Sequence, residues 1–168
     1  MKERKVPNWN EYFMIQAITA SLRSKDPATQ VGCVFVDDDN HQITMGYNGM
    51  IAGLDENSFT WCKDKNKQLH ETKYAYVSHA EENAIMHSKG ELKGTTLYVT
   101  LFPCNACARM LATKKIKKVY YLEEKSGERS MYIASKKILD AANISYEKIS
   151  ISEETLNLYI SIFQKLNK

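Results

Sequence analysis

Apolar and polar positions recur with two different periods along the chain, and the changes of period mark its elements. From Asn10 to Arg23, Phe13, Ala17, Ala20 and Leu22 are among the apolar positions of a predicted helix. Pro27 stands in the break that follows. Val31 to Val36 reads Val-Gly-Cys-Val-Phe-Val, a near-continuous apolar run of the kind a strand shows when both its faces are covered. Asp37-Asp38-Asp39-Asn40 makes a turn and Ile43 to Tyr47 returns as a second strand, so the opening pair is a hairpin. Gly46-Tyr47-Asn48-Gly49 closes it. Roughly the next thirty residues carry no period, a length at which a loop commonly has a function.

Regular patterns then resume. Helices are predicted over Ala80–His87, Cys104–Thr113, Ser130–Ala142 and Glu153–Leu166, the last with Leu156, Tyr159, Ile160 and Phe163 on one side. Strands are predicted over Thr95–Leu101, Lys118–Leu122 and Ile144–Ile149. Strands separated by helices are expected to run parallel with right-handed crossovers. The expected fold class is α/β: three layers, α-β-α, around a mixed sheet of about five strands whose first two are antiparallel. No stretch reads as a domain boundary, so residues 1–168 are expected to form one domain.

Composition changes this picture little. A net charge of +3 with scattered lysines does not suggest a nucleic-acid groove. No apolar run approaches membrane-spanning length, and Met1-Lys2-Glu3-Arg4-Lys5 lacks a signal-peptide core, so a cytoplasmic location is expected. There the four cysteines read as thiols or metal ligands rather than disulfides.

The chemistry lies in two short stretches, His79-Ala80-Glu81 and Pro103-Cys104-Asn105-Ala106-Cys107. One imidazole and two thiols fill three corners of a zinc site and leave the fourth to water. A closed structural site has no use for the carboxylate of Glu81, whereas an open one needs it to move protons. Pro103 precedes a helix start without cost, and Cys104 and Cys107 are one turn apart on one face, at the end where the helix dipole favours thiolates. His79 at the cap of the other helix would leave Glu81 in the first turn, beside the metal rather than on it. Alone, a Cys-x-x-Cys pair is more often structural or redox-active and a His-x-Glu is a surface accident. In this order, at the starts of two helices flanking a strand, they favour a catalytic centre.

His-x-Glu followed by Pro-Cys-x-x-Cys is the signature of the zinc nucleobase deaminases. More widely, the chain resembles the deoxycytidylate (dCMP) deaminases of the cytidine deaminase superfamily. The resemblance runs from about residue 9 to about residue 146, leaving the C-terminal helix outside it. It is carried by Tyr12-Phe13-Met14, Arg23-Ser24-Lys25-Asp26-Pro27, Gln30-Val31-Gly32, Gly46-Tyr47-Asn48-Gly49-Met50, Thr72-Lys73-Tyr74, His79-Ala80-Glu81 with Asn83-Ala84-Ile85-Met86, and Leu101-Phe102-Pro103-Cys104-Asn105. It implies a cytidine deaminase-like fold and a zinc-dependent conversion of dCMP to dUMP. It also implies a homohexamer activated by dCTP and inhibited by dTTP. Carried over residue by residue, His79, Cys104 and Cys107 hold Zn2+ and Glu81 shuttles protons. Asn48 contacts the substrate sugar, the Ala80 N–H meets the pyrimidine carbonyl, and Phe102 belongs to the substrate site. Arg23, Lys25 and Asp26 are the allosteric candidates. Asn48 also reads as a turn residue in left-handed geometry, and Arg23 and Lys25 as a solvated helix end.

One departure stands out. Where relatives commonly carry a tyrosine after the fourth strand, this chain has Ser126, which leaves the phosphate contact to Lys125 or Arg129, or points to another phosphorylation level. Cys62 and His70 lie where some relatives hold a second zinc, though two ligands are poor grounds for one. Cys33 reads as a small core residue. His87 reads as substrate-facing or as a helix-surface histidine. Tyr74 and Tyr76 either flank the pocket or pack under the loop, and Tyr120-Tyr121 reads as strand core. Three other functions compete with dCMP deamination: action on dCTP or a modified pyrimidine nucleotide, on bases within RNA or DNA, or none, as a zinc-stabilised nucleotide sensor. Glu81 argues against the last.

Overall fold

The computed structural model describes residues 4–125 and 129–166. Helix α1 (Trp9–Ser21) begins at Asn8, whose side chain accepts the Glu11 N–H at 2.9 Å. Strands β1 (Gly32–Val36) and β2 (Gln42–Tyr47) follow as the antiparallel hairpin. Two-residue strands β3 (Gly49–Met50) and β4 (Val77–Ser78) then pair with each other and bracket the irregular segment. Beyond them come α2 (Ala80–His87), β5 (Thr96–Leu101), α3 (Asn105–Thr113), β6 (Lys118–Glu123), α4 (Arg129–Ala141), β7 (Ser145–Lys148) and α5 (Glu153–Leu166).

The five longer strands form one mixed sheet in the order β2-β1-β5-β6-β7. Strand β1 runs antiparallel to both neighbours, while β5, β6 and β7 are mutually parallel. The apolar run of β1 thus serves two cores. Cys33 and Phe35 face α2, α3 and α4 in a cluster with Ala80, Ala84, Leu97 and Leu111. Val34 and Val36 face the other way, onto Phe13, Met14 and Ala17 of α1. All five β1 residues are buried, which is why period-two alternation is absent from that stretch.

Two glycines let helices close onto this sheet. A Cβ on Gly32 would overlap Ala17 O and the Ser21 backbone of α1, and one on Gly46 would overlap Ala80 O and Ala84 N of α2. The second contact seats the first turn of α2 against β2. Helix α3 starts just past the carboxyl end of β5, so both helix N-termini open at one end of the sheet, where ligands bind in open α/β folds. Among the described residues no helix is long and apolar enough to cross a membrane.

Helix α5 is tied to α1 by Glu11, whose carboxylate accepts Ser152 N–H and Thr155 Oγ, both at 2.6 Å. The Thr155 hydroxyl, more than any other partner, holds the Glu11 carboxyl below its usual range. A carboxyl depressed in the folded state stabilises the fold above its unfolded pKa, and that contribution is lost as pH falls through the folded value. Acid should therefore loosen α5 through Glu11. In Glu11→Gln, amides of residues 153–166 are expected to exchange about tenfold faster than wild type at neutral pH, with little further acid effect through this contact. Hydrogen-exchange mass spectrometry across the carboxylate range checks both.

Candidate active site

The zinc-type ligands meet because two helix caps are turned toward each other. His79 is the extended N-cap residue of α2; its N–H donates to the Glu82 carboxylate at 3.2 Å, and its carbonyl accepts Asn83 N–H at 3.0 Å. Cys104 is the N-cap of α3, one position before the first helical residue rather than the first residue itself, and its Sγ accepts Cys107 N–H at 3.4 Å. The His79 Nδ1 then lies 3.3 Å from Cys107 Sγ and 3.4 Å from Cys104 Sγ. In a tetrahedral zinc site, bonds of the usual length hold a nitrogen and a sulfur about 3.5 Å apart, so both nitrogen–sulfur distances suit such an ion. Among the described residues this is the one group of three or more such side chains that could hold a metal, and Cys62 and His70 are not in it.

The three side chains also shift one another's protonation. The Cys104 thiol is pushed down to about 4, first by its hydrogen bond with Cys107 and also by the His79 ring. His79 is pushed up to about 9, chiefly by the Cys104 thiolate. Cys107 is driven the other way, by the Cys104 hydrogen bond and by burial. A dication seated among the three would replace the imidazolium proton and the second thiol proton, as metal ligands require.

Glu81 is 3% exposed, and burial raises its carboxyl above the ordinary value while it hydrogen-bonds with the Cys107 side chain. A carboxyl raised in this way suits proton transfer near neutral pH. Cys33 is fully buried, close enough to Glu81 for that charge to help raise its thiol, and belongs to the core.

A cavity of about 520 Å³ opens on this cluster, lined by His79, Ala80, Glu81 and Cys104 and also by Asn48 and Phe102. Phe102 is fixed as a wall by edge-to-face contacts with Tyr121, Tyr132 and Tyr146. Ala80, the first residue of α2, has an N–H with no acceptor within the helix. Asn48 is buried, but not as a left-handed turn residue: among the described residues, those other than glycine with positive φ are Asn40, Lys115 and Asn143. Its Oδ1 accepts Val31 N–H at 2.7 Å and its Nδ2 donates to Thr29 O at 2.9 Å.

The allosteric candidates are divided. Arg23 and Lys25 line a separate cavity of about 310 Å³ with Tyr47, Asn83 and His87, and Lys25 pairs with Glu56 at 2.7 Å. Asp26 is turned away from them, buried in the main cavity against Lys73. His87 is exposed on that second cavity, its ring 2.9 Å from Asn83 O. Of the two tyrosines before His79, Tyr74 lines the main cavity, whereas Tyr76 packs on Phe59 and donates to His70 O. Tyr121 is buried in the core and Tyr120 stacks on Tyr98. Ser126 lies outside the described residues.

Sequence reasoning missed three lysines. Lys63, Lys65 and Lys73 line the main cavity, together with Lys125, which the sequence offers beside Arg129 as a phosphate contact. Lys63 and Lys65 come from the irregular segment, where no period signals orientation. Lys125 Nζ reaches Thr29 Oγ at 3.1 Å, a contact across 96 positions of sequence.

Residues 7–123 match the family model described as the cytidine and deoxycytidylate deaminase zinc-binding region. The chain belongs to the cytidine and deoxycytidylate deaminase family. It is a deaminase, and its His79-Cys104-Cys107 group lies within the family's zinc-binding region. A probable deoxycytidylate deaminase of Caenorhabditis elegans is 47% identical over 146 residues, covering 86% of this chain and 72% of that protein. The deoxycytidylate deaminase of Homo sapiens is 38% identical over 141 residues, covering 83% and 79%. Among solved structures, dCMP deaminase from the cyanophage S-TIM5 in complex with dCMP and dUMP matches 87% of this chain and all of that one, with TM-score 0.68 and 27% identity. The shared architecture is the mixed five-stranded sheet between helical layers, as the order of elements predicts.

Proposed function

We propose that this deaminase hydrolyses dCMP to dUMP and ammonia, with Zn2+ held by His79, Cys104 and Cys107 and with Glu81 carrying the protons. The observation that carries the reading is a buried acid beside a three-cornered ligand group, both opening on a cavity sized for a nucleotide. Zinc, when bound, supplies a Lewis acid that lowers the pKa of water from about 15.7 toward ~7. Glu81 takes a proton from the attacking water and passes it to the ring nitrogen next to the reacting carbon. Glu81 then takes the remaining proton of the added hydroxyl and delivers it to the amine as the carbon–nitrogen bond breaks and the carbonyl forms, so one water is consumed for each ammonia released. The Ala80 N–H is set to meet the pyrimidine carbonyl. Asn48 Oδ1 has a lone pair beyond the one given to Val31, available to a sugar hydroxyl. Lys63, Lys65 and Lys125 are exposed on the same cavity and supply positive charge for the 5′-phosphate in place of the missing tyrosine.

Ammonia release from cytidine, CMP, dCMP and dCTP tests this. Activity on dCMP at least tenfold above the other three is expected; cytidine-only activity would remove the phosphate reading, and preference for dCTP would move the substrate to the triphosphate. A salt-sensitive, sub-micromolar shift of an oligonucleotide would favour a nucleic-acid substrate instead. The two cations of the Arg23–Lys25 cavity support the binding of a triphosphate there. The proposal extends to dCTP as activator and dTTP as inhibitor, in a cytoplasmic homohexamer of single-domain subunits. Sedimentation and dCMP saturation curves with each triphosphate, repeated on Arg23→Ala, read that arm separately.

A further inference from the structure

Asp26 and Lys73 form the most deeply buried ion pair among the described residues, with side chains 2% and 9% exposed. Neither residue belongs to the reacting cluster, yet both line the cavity. Burying two charges costs more than a surface pair, so the pair's partners are informative. The Asp26 carboxylate accepts Ala28 N–H at 2.9 Å and Thr29 N–H at 3.3 Å through Oδ1. Through Oδ2 it takes the Lys73 ammonium and, at 3.4 Å, Asn48 Nδ2. Asn48 Nδ2 also donates to Thr29 O, in the backbone turn that Asp26 holds. Lys73 is itself seated by its N–H on Cys62 O at 2.8 Å and by Tyr76 N–H on its own carbonyl at 3.0 Å. A chain of contacts therefore runs from the irregular segment through Lys73 and Asp26 to the amide of Asn48.

The amide's orientation is the quantity at stake. With Nδ2 committed to Asp26 and Thr29, the Asn48 amide cannot flip, and its Oδ1 stays available as an acceptor. A deoxynucleotide sugar offers one hydroxyl, at the 3′ position, to such an acceptor. We propose that Lys73 and Asp26 are positioning residues that fix the Asn48 amide, so that recognition of the substrate's 3′-hydroxyl depends on the seating of the irregular segment. This rests on the reading of Asn48 as the sugar contact in a nucleotide deaminase.

The test compares kcat/KM for dCMP with that for its 3′-deoxy analogue, 2′,3′-dideoxycytidine monophosphate. Wild type is expected to favour dCMP by at least tenfold. In Lys73→Met the preference should fall to within about threefold of unity, mainly through a higher KM for dCMP, and Lys73→Arg should restore most of it. Lys73→Gln, which keeps a donor but loses the charge, is the second variant should Lys73→Met not fold, and is expected to lie between. Asn48→Ala separates the two readings: if it keeps the wild-type preference, Asn48 is not the sugar contact. If Asn48→Ala loses the preference while folded Lys73→Met or Lys73→Gln retains it in full, the positioning role is overturned.

Discussion

Glu81→Gln is expected to keep its metal and fold while kcat falls by about 10³-fold or more. The amide has nearly the shape of the carboxyl, so the buried space beside Cys107 stays filled. It cannot accept a proton from water or return one to the ring, and in the proposed mechanism both transfers depend on the one group. Loss of both steps should appear in kcat and in kcat/KM together, because the contribution exists in the transition state and not in substrate binding. Stability is expected to be unchanged or higher. Burial already opposes the charged form of Glu81, and a neutral amide removes that penalty. Metal content, denaturant midpoint and single-turnover rate on dCMP are the three measurements. A variant with wild-type turnover would take the proton-carrying role away from Glu81.

What could be read from residues alone follows a physical division. Helix α2 occupies Ala80–His87, the span its pattern predicts, because the cap at His79 stands next to the first periodic residue; the structure adds Glu82, which accepts the His79 N–H. The sheet was legible for a similar reason: β1 must be covered on both faces, and helices between the later strands oblige them to run parallel. Strands β3 and β4 were not legible, since two residues carry no period and their partner lies across the irregular segment. The ligand set was legible because its spacing is local to two helix starts. The Asp26–Lys73 contact was not, since it joins residues 47 positions apart whose types alone suggest a solvated charge. The same limit placed Asp26 with Arg23 and Lys25, its sequence neighbours, whereas Asp26 lines the main cavity and they line another. A charged residue beside a helix end reads as exposed until a partner from elsewhere in the fold is seen.

The second large effect is expected at Cys104, which has two jobs that a pair of substitutions can separate. Its sulfur is one of the three atoms that could hold the metal, and it also caps α3 by accepting Cys107 N–H. Cys104→Ala removes both, and should lose zinc, turnover and about 1 kcal/mol of metal-free stability from the missing cap. Cys104→Ser keeps an oxygen acceptor of a type preferred at helix N-caps, so its metal-free stability should stay close to wild type. As a zinc ligand a neutral hydroxyl is far weaker than a thiolate, so metal affinity should still fall by at least two orders of magnitude and turnover with it. Zinc binding to the folded form raises wild-type stability by mass action, and that increment should vanish in both variants. Chelator competition gives the affinities, and denaturant midpoints with and without zinc give the two stabilities. If Cys104→Ser held zinc and turned over dCMP as wild type does, the cap would be the whole role of Cys104 and the three-cornered site would be wrong. If instead Cys104→Ser matches wild type only in the metal-free protein, the sulfur is required by the metal and not by the fold. Glu81→Gln, which should keep zinc and lose turnover, then isolates the proton step from the metal that makes it possible.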